Sequence, residues 1–504
     1  MTRVRSINPA TGVERELDVE ETTPSEVTQL TERAKNVALD VARRPLTWRS
    51  SMLRAMADEL EADAANLVEL AIEETALTRA RLEGELRRTA FQLRFFANVV
   101  QDGAFLAISI DHATDSPMGS LPDLRRLNVP LGPVGVFGSS NFPFAFSVPG
   151  GDTASALAAG CPVVIKAHPA HPATSRACFD ALTRGAASVN APEGLLALVF
   201  GFDAGVALVD APGIAAVGFT GSVPAGRALW ARANARPTPI PFYGELGAAN
   251  PLVVTQSAAT QRGVEIGTGI AGSMTLGVGQ FCTKPGLLFI PRGDDGDALV
   301  SALVSALEDT SPMTMLSVGI AKHFRSGSDT VKNSDTVVQL TSQASSVGTN
   351  VSAQLFEVTA TEFVSPSNEA LREECFGPLA IVIRFAGRDD LTSALESANA
   401  ALTFSVFTSL NDEDASWLID LGHTRAGRVI ANGYPTGVGV SWSMQHGGPW
   451  PATTASFATS VGAAGIERWL RPIAYQSVSE EFLPEAVRDG NPLGFPQRVD
   501  GSAR

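Results

Sequence analysis

The chain has 504 residues, 44% hydrophobic and 18% charged, which is enough apolar material for two or more packed domains. Its 38 basic and 53 acidic residues leave a formal charge of −15, which argues against a nucleic-acid partner and means that an anionic substrate needs a local basic pocket. Cys161, Cys178, Cys282 and Cys375 are far apart with no Cys-x-x-Cys, and the six histidines show no zinc spacing, so neither a disulfide framework nor a metal site is expected.

The first twenty residues carry charges throughout and no apolar run, so no secretory leader is expected and a reducing cytoplasm is the default. Asn8-Pro-Ala-Thr-Gly12 reads as a turn between two extended pieces, and Ser25 to about Arg44 and Ser50 to about Val100 carry apolar residues at helical spacing. Leu127 to Gly151 is free of charge and long enough to span a bilayer, but Pro130, Pro133, Pro143 and Pro149 would break a spanning helix, so it reads as buried strand and loop. From Val134 onward, short apolar runs alternate with helical segments. Val134–Phe137, Pro162–Ile165, Leu195–Phe200 and Ala216–Phe219 read as strands, and Ser155–Ala159, Thr174–Leu182, Val206–Asp210 and Val223–Ala233 as helices. This spacing predicts a parallel sheet covered on both faces. The alternation resumes after Glu245 with Pro251–Val254, a helix around Gln261–Met274 and Gly286–Ile290, which predicts a second α/β domain.

Five stretches carry chemistry. In Gly138-Ser-Ser-Asn-Phe-Pro143, Asn141 is a turn former or an amide donor. In Pro162-Val-Val-Ile-Lys-Ala-His-Pro169, Lys166 ends an apolar strand, on the side of a parallel sheet where ligands bind. Ala216-Val-Gly-Phe-Thr-Gly-Ser222 runs through a glycine turn into a helix with Pro224 near its start, so its amides and dipole suit a pyrophosphate as well as an ordinary turn. Glu245, between glycines in an uncharged aromatic stretch, would have a raised pKa if buried, in the range useful to a general base. Cys282, between Gly279 and Pro285-Gly286, sits in a turn-rich loop suited to a nucleophile, although a free cysteine is ordinarily a small buried apolar residue.

Gly279-Gln-Phe-Cys282, Phe219-Thr-Gly-Ser222, the Asn141 loop, Glu245 and Glu373-Glu-Cys-Phe-Gly-Pro378 together resemble, in order, the motifs of the aldehyde dehydrogenase superfamily. The resemblance implies an α/β fold with a Rossmann-type cofactor domain (1–112 and 132–245), a catalytic domain (246–440) and oligomerisation or bridging segments (113–131 and 441–504). It makes Cys282 the nucleophile, Asn141 an oxyanion donor and Glu245 the base that activates water. Cofactor contacts fall on Lys166, His168, Phe219, Thr220, Gly221, Ser222, Glu374 and Phe376. Many NAD-using members carry an acidic residue three positions after the lysine. Pro169 stands there, so NADP is expected, with NAD as the alternative. The implied reaction is NAD(P)-dependent oxidation of a small-molecule aldehyde to a free acid by a homodimer or homotetramer, with no membrane or nucleic-acid partner.

Gly150-Gly-Asp-Thr-Ala-Ser155, His446-Gly-Gly-Pro449 and Glu467-Arg-Trp-Leu-Arg-Pro472 look like the branch of 2,5-dioxopentanoate (α-ketoglutarate semialdehyde) dehydrogenases and NADP-dependent fatty aldehyde dehydrogenases. The semialdehyde needs a basic or amide-rich pocket, and a medium- or long-chain aldehyde an apolar one. Arg88 is the candidate carboxylate partner, although Arg81, Arg87 and Arg94 are equally placed in sequence. Phe142, Phe281 and Phe457 suit either pocket. A cysteine hydrolase is disfavoured because no histidine adjoins the Cys282 loop, and a non-catalytic binding protein because nucleophile and base are both retained.

Overall fold

The structure, a computed structural model, describes residues 2–342 and 347–503. The first sheet consists of five parallel strands in the spatial order Phe242–Glu245, Ala216–Thr220, Val134–Phe137, Val163–Lys166, Leu196–Val199. Chain order runs outward in both directions from the seam between Ala216–Thr220 and Val134–Phe137. In an open parallel sheet such a seam leaves a crevice beyond the carboxyl ends of the strands. The Asn141 loop, Lys166, Thr220 and Glu245 all lie at those ends.

The second sheet has seven strands, in the order Val338–Gln339, Gln354–Thr359, Leu379–Phe385, Pro285–Pro291, Asn250–Val254, Ala401–Phe407, Ala426–Ala431, and all but the first pair in parallel. Its central strands are apolar on both faces. Val253, Leu287 and Phe289 pack into one core, and Leu252, Val254, Leu288 and Ile290 into the other, which is why these strands read as unbroken apolar runs. Cys282 and Glu374 immediately precede strands of this sheet, at its amino end. The carboxyl end of one sheet therefore faces the amino end of the other, and a cavity of about 610 Å³ lies between them.

The first sheet is covered by Leu46–Ala62, Arg79–Asp102 and Pro172–Ser188, whose apolar stripes share one core. The expected helical run from Ser50 to Val100 is three helices, interrupted at Asp63 and at Ala76, whose backbone is left-handed at φ 54°. In the N-terminal turn, the Asn8 side chain accepts the N–H groups of Ala10 and Thr11 at 2.9 and 3.1 Å. The segment Leu127 to Gly151 forms parts of two strands and a loop, and among the described residues no helix is long and apolar enough to cross a membrane.

The tail pairs Leu470–Gln476 with Leu124–Pro130 in a third, five-stranded sheet. It is tied to the helix Gly151–Ala159, which packs beside the first sheet, by Arg468, which donates to Asp152 at 2.7 Å, and by the buried Trp469, whose Nε1–H donates to Ser155 Oγ at 2.8 Å. Two distant motifs of the sequence, around Asp152 and around Arg468, are thus partners.

Candidate active site

The loop bearing Cys282 begins with Gly277, Val278 and Gly279, all at positive φ. A Cβ on Gly279 would lie 2.5 Å from the Gly377 carbonyl carbon and the Pro378 nitrogen, so only glycine lets this loop meet the Glu374–Pro378 segment. Gln280 is buried, donates to Gly277 O at 3.2 Å and accepts from Leu316 N at 3.1 Å. Asn250 Nδ2 donates to the Cys282 carbonyl at 2.8 Å. These contacts hold the Cys282 backbone, and its half-buried side chain faces the cavity.

Asn141 lies across the cavity. Its Nδ2 donates to Gln280 O at 2.9 Å, which uses one of the two amide protons. Its own carbonyl accepts from Arg81 Nη2 at 2.8 Å, and the buried Glu85 carboxylate accepts the next loop amides, of Phe144 and Ala145, at 2.9 and 3.0 Å. Glu85 is a charged residue within the apolar stripe of its helix, and that break was the sequence signal for a fixed internal partner.

Glu245 ends its strand and is buried. One carboxylate oxygen accepts from Ser460 Oγ at 2.6 Å, and the other lies 2.9 Å from His446 Nε2. The same Nε2 is 3.5 Å from Cys282 Sγ. The expectation that no histidine adjoins the Cys282 loop is therefore corrected. His446 is 164 residues away in sequence, and only the fold brings it near. The expected rise in the Glu245 pKa is corrected as well. Burial pushes the carboxyl up, but the His446 imidazole and hydrogen bonds from His446, Ser460 and Cys282 outweigh it and leave the group below the usual carboxylate range. The Cys282 thiol is pushed well above its ordinary value by burial and then by the Glu245 charge.

On the dinucleotide side, Thr220, Gly221 and Ser222 line the cavity at the start of the helix Val223–Ala235. Phe219 does not line it. That ring is buried against Phe137 and Phe242 and supports the turn from beneath. His168 lines the cavity and accepts from Ala170 N at 3.1 Å through Nδ1. Burial lowers Lys166 to about 8, with the Glu21 charge opposing the shift. Glu374 and Phe376 line the cavity from the second sheet. Burial raises Glu374 to about 7, with Lys284 opposing the shift.

On the other side of Cys282, the Phe142 and Phe281 rings meet edge to face at 5.0 Å, with the Arg81 guanidinium over both. Arg88 lies over Phe146 and donates through Nη2 to Val438 O at 3.4 Å, while its buried Nη1 has no partner among the described residues. Burial lowers its pKa, against the opposing charges of Glu85, Cys282 and Glu245. Arg428, which sequence reasoning missed, holds the Pro435 and Gly437 carbonyls through Nη2, each at 2.9 Å. Arg87 is exposed and Arg94 pairs with Asp58 and Glu61, so neither resembles Arg88. None of Arg88, Phe142, Phe281 and Phe457 lines the cavity, and Phe457 is 86% exposed.

A family model described as aldehyde dehydrogenase family matches residues 1–470. The alpha-ketoglutaric semialdehyde dehydrogenase 2 of Azospirillum brasilense is 44% identical over 502 residues, covering 98% of this chain and 93% of that protein. The alpha-ketoglutaric semialdehyde dehydrogenase of Acinetobacter baylyi is 39% identical, covering 95% of this chain and 91% of that one. Among solved structures, the NADP-dependent glyceraldehyde-3-phosphate dehydrogenase of Bacillus halodurans C-125, complexed with NADP, superposes with a TM-score of 0.79 at 24% identity, covering 94% of this chain and 95% of that one.

Proposed function

Because the chain belongs to the aldehyde dehydrogenase family and is an NAD(P)-dependent enzyme of that kind, we propose that it oxidises α-ketoglutarate semialdehyde to 2-oxoglutarate. The observation that carries the substrate is the buried Nη1 of Arg88, which has no partner among the described residues, as the Nη1 of Arg81 earlier on the same helix also has none. A buried donor without an acceptor costs about 1–3 kcal/mol, and a substrate carboxylate removes that cost. An aliphatic aldehyde would leave it in place.

In this reading Cys282 attacks the aldehyde carbon and gives up its thiol proton toward the His446–Glu245 pair. The second amide proton of Asn141 and the Cys282 N–H stabilise the oxyanion. A dinucleotide held in the cavity would supply the hydride acceptor. The thioester left on Cys282 is hydrolysed by water that Glu245 deprotonates, with His446 and Ser460 holding the carboxylate in place. Thr220–Ser222 would offer helix N-terminal amides to a pyrophosphate, His168 with Lys166 behind it would hold the adenosine side, and Glu374 would accept from the nicotinamide ribose. We assign residues 1–112 and 132–245 to dinucleotide binding and 246–440 to catalysis. The third sheet, with Leu470–Gln476 at its edge, is assigned to pairing of subunits into a dimer or tetramer.

Arg88→Ala should reduce kcat/KM for the semialdehyde about 10- to 100-fold, mainly through KM, with hexanal affected less than threefold, in keeping with a charge-assisted hydrogen bond of ~1.5–3 kcal/mol. A wild-type preference for hexanal would overturn the substrate. Running the panel with both dinucleotides tests the cofactor. Pro169 leaves the ribose position without a carboxylate, which supports use of NADP, and Glu21 near Lys166 keeps the preference modest. A preference for NAD of more than about tenfold, or about 1.4 kcal/mol, would reverse that reading.

Asn141→Ala removes an oxyanion donor while leaving the Arg81 contact, which is to the backbone. The expected loss in kcat is about 100- to 1,000-fold with KM little changed, measured in steady state.

A further inference from the structure

The described residues include one set of three unlike ligand atoms gathered at a point. Cys282 Sγ, His446 Nε2 and a Glu245 carboxylate oxygen lie within 4.8 Å of one another. The sulfur–nitrogen separation is 3.5 Å and the nitrogen–oxygen separation 2.9 Å. A tetrahedral zinc ion, with bonds of about 2.3 Å to sulfur and 2.0–2.2 Å to nitrogen and oxygen, requires edges of roughly 3.6 Å and 3.4 Å. The first edge already fits, and the second must open by roughly half an ångström.

The three ligands are also held from behind. The His446 N–H donates to Thr459 Oγ1 at 2.8 Å, Ser460 occupies the other Glu245 oxygen, and Asn250 fixes the Cys282 carbonyl. Glu245 and Cys282 line the cavity, which supplies both an entry path and water for a fourth position.

We propose that this triad is a zinc(II) site and that its occupation reversibly arrests the enzyme. A thiolate, an imidazole and one carboxylate oxygen select a borderline-soft ion over magnesium or calcium, which prefer all-oxygen sets. On binding, the Cys282 S–H bond breaks, its proton leaves to solvent and an S–Zn bond forms, while the His446 Nε2 proton donated to Glu245 is replaced by one on Nδ1, so that Nε2 offers its lone pair with no change in oxidation state. The aldehyde needs the same sulfur and therefore competes with the ion. Nδ1 of His446 has no partner among the described residues. A metal-bound histidine commonly relies on an acceptor at its second nitrogen, worth about 10- to 100-fold in affinity. The site is therefore weaker than a structural zinc site, and micromolar binding is expected.

The test uses the full chain, metal-free, without aldehyde or dinucleotide. Zinc is followed by calorimetry in buffers of different ionisation enthalpy, and cobalt(II) is the spectroscopic probe. The expected results are one ion per chain, release of a proton, and a sulfur-to-cobalt charge-transfer band of tetrahedral type. The band should vanish in Cys282→Ser and persist in Cys375→Ser, and zinc should bind at least tenfold more weakly to both His446→Asn and Glu245→Gln. Melting curves establish that each variant is folded. No band, a band that follows Cys375, or affinity unaltered in His446→Asn would overturn the site. These are binding readouts, so they stand whichever aldehyde the enzyme prefers. Zinc inhibition of wild-type turnover should be relieved by a chelator and by raised aldehyde concentration, and inhibition that neither relieves would overturn the competition.

Discussion

Cys282→Ser should lower kcat/KM by about 10⁴- to 10⁶-fold, the scale of loss when a covalent nucleophile is removed, without weakening dinucleotide binding. The asymmetry follows from the placement of the side chain. The Cys282 carbonyl is held by Asn250 and its loop by the Gly279 contact, so a serine keeps the backbone where it is. Its hydroxyl is a far poorer nucleophile at neutral pH. Reduction of NAD(P) with the best aldehyde measures the first quantity and quenching of protein fluorescence by the dinucleotide the second. Activity at the parental rate would remove the covalent mechanism.

Glu245→Gln should separate the two halves of the reaction. Formation of the thioester continues at a reduced rate and hydrolysis stalls, giving a burst of about one reduced dinucleotide per site followed by a steady state about 100- to 10,000-fold slower, as expected for loss of a general base. Stopped-flow absorbance resolves the burst, and a proportional loss of both phases would count against Glu245 as the hydrolytic base. The pH dependence has a definite sign. The folded-state pKa of Glu245 lies below its ordinary value, so the group is ionised across the neutral range. Its stabilising contribution is present above the unfolded-state pKa and is lost only as the pH falls through the folded value. The variant should therefore show less acid dependence of its melting temperature than the parent, and Glu245 should set no limb of the rate profile near neutrality.

The strands were the most legible part of the sequence. Val134–Phe137 has the predicted bounds, because a parallel strand buried on both faces must be apolar throughout and has only loops to end it. The helical run before it was read as one piece because its breaks carry no glycine or proline, only Asp63 and Ala76. Ala76 takes a left-handed conformation that sequence patterns assign to glycine or asparagine. Within the site, Cys282, Glu245, Asn141 and Glu374 were singled out by the resemblance of their motifs to those of the family, and all four line one cavity. The His446 contact was invisible because it joins positions 164 residues apart. The sign of the Glu245 pKa followed from the same omission, since burial alone raises a carboxyl and the tail supplies the His446 and Ser460 donors that, with Cys282, lower it. Phe457 was assigned to the substrate by its position in a motif, and its 86% exposure comes from the course of a loop that periodicity does not describe.

The route by which the tail returns to Glu245 has a consequence for biosynthesis. Translation delivers the sulfur 164 residues before the imidazole, an interval of roughly ten to thirty seconds at about 5–20 residues per second. During that interval the nascent polypeptide carries the sulfur without the imidazole that lies 3.5 Å from it in the fold. The clasp of Arg468 on Asp152 comes later still. The contacts around Glu245 are therefore complete only once Ser460 has been made, and a chain stalled between Cys282 and His446 lacks them.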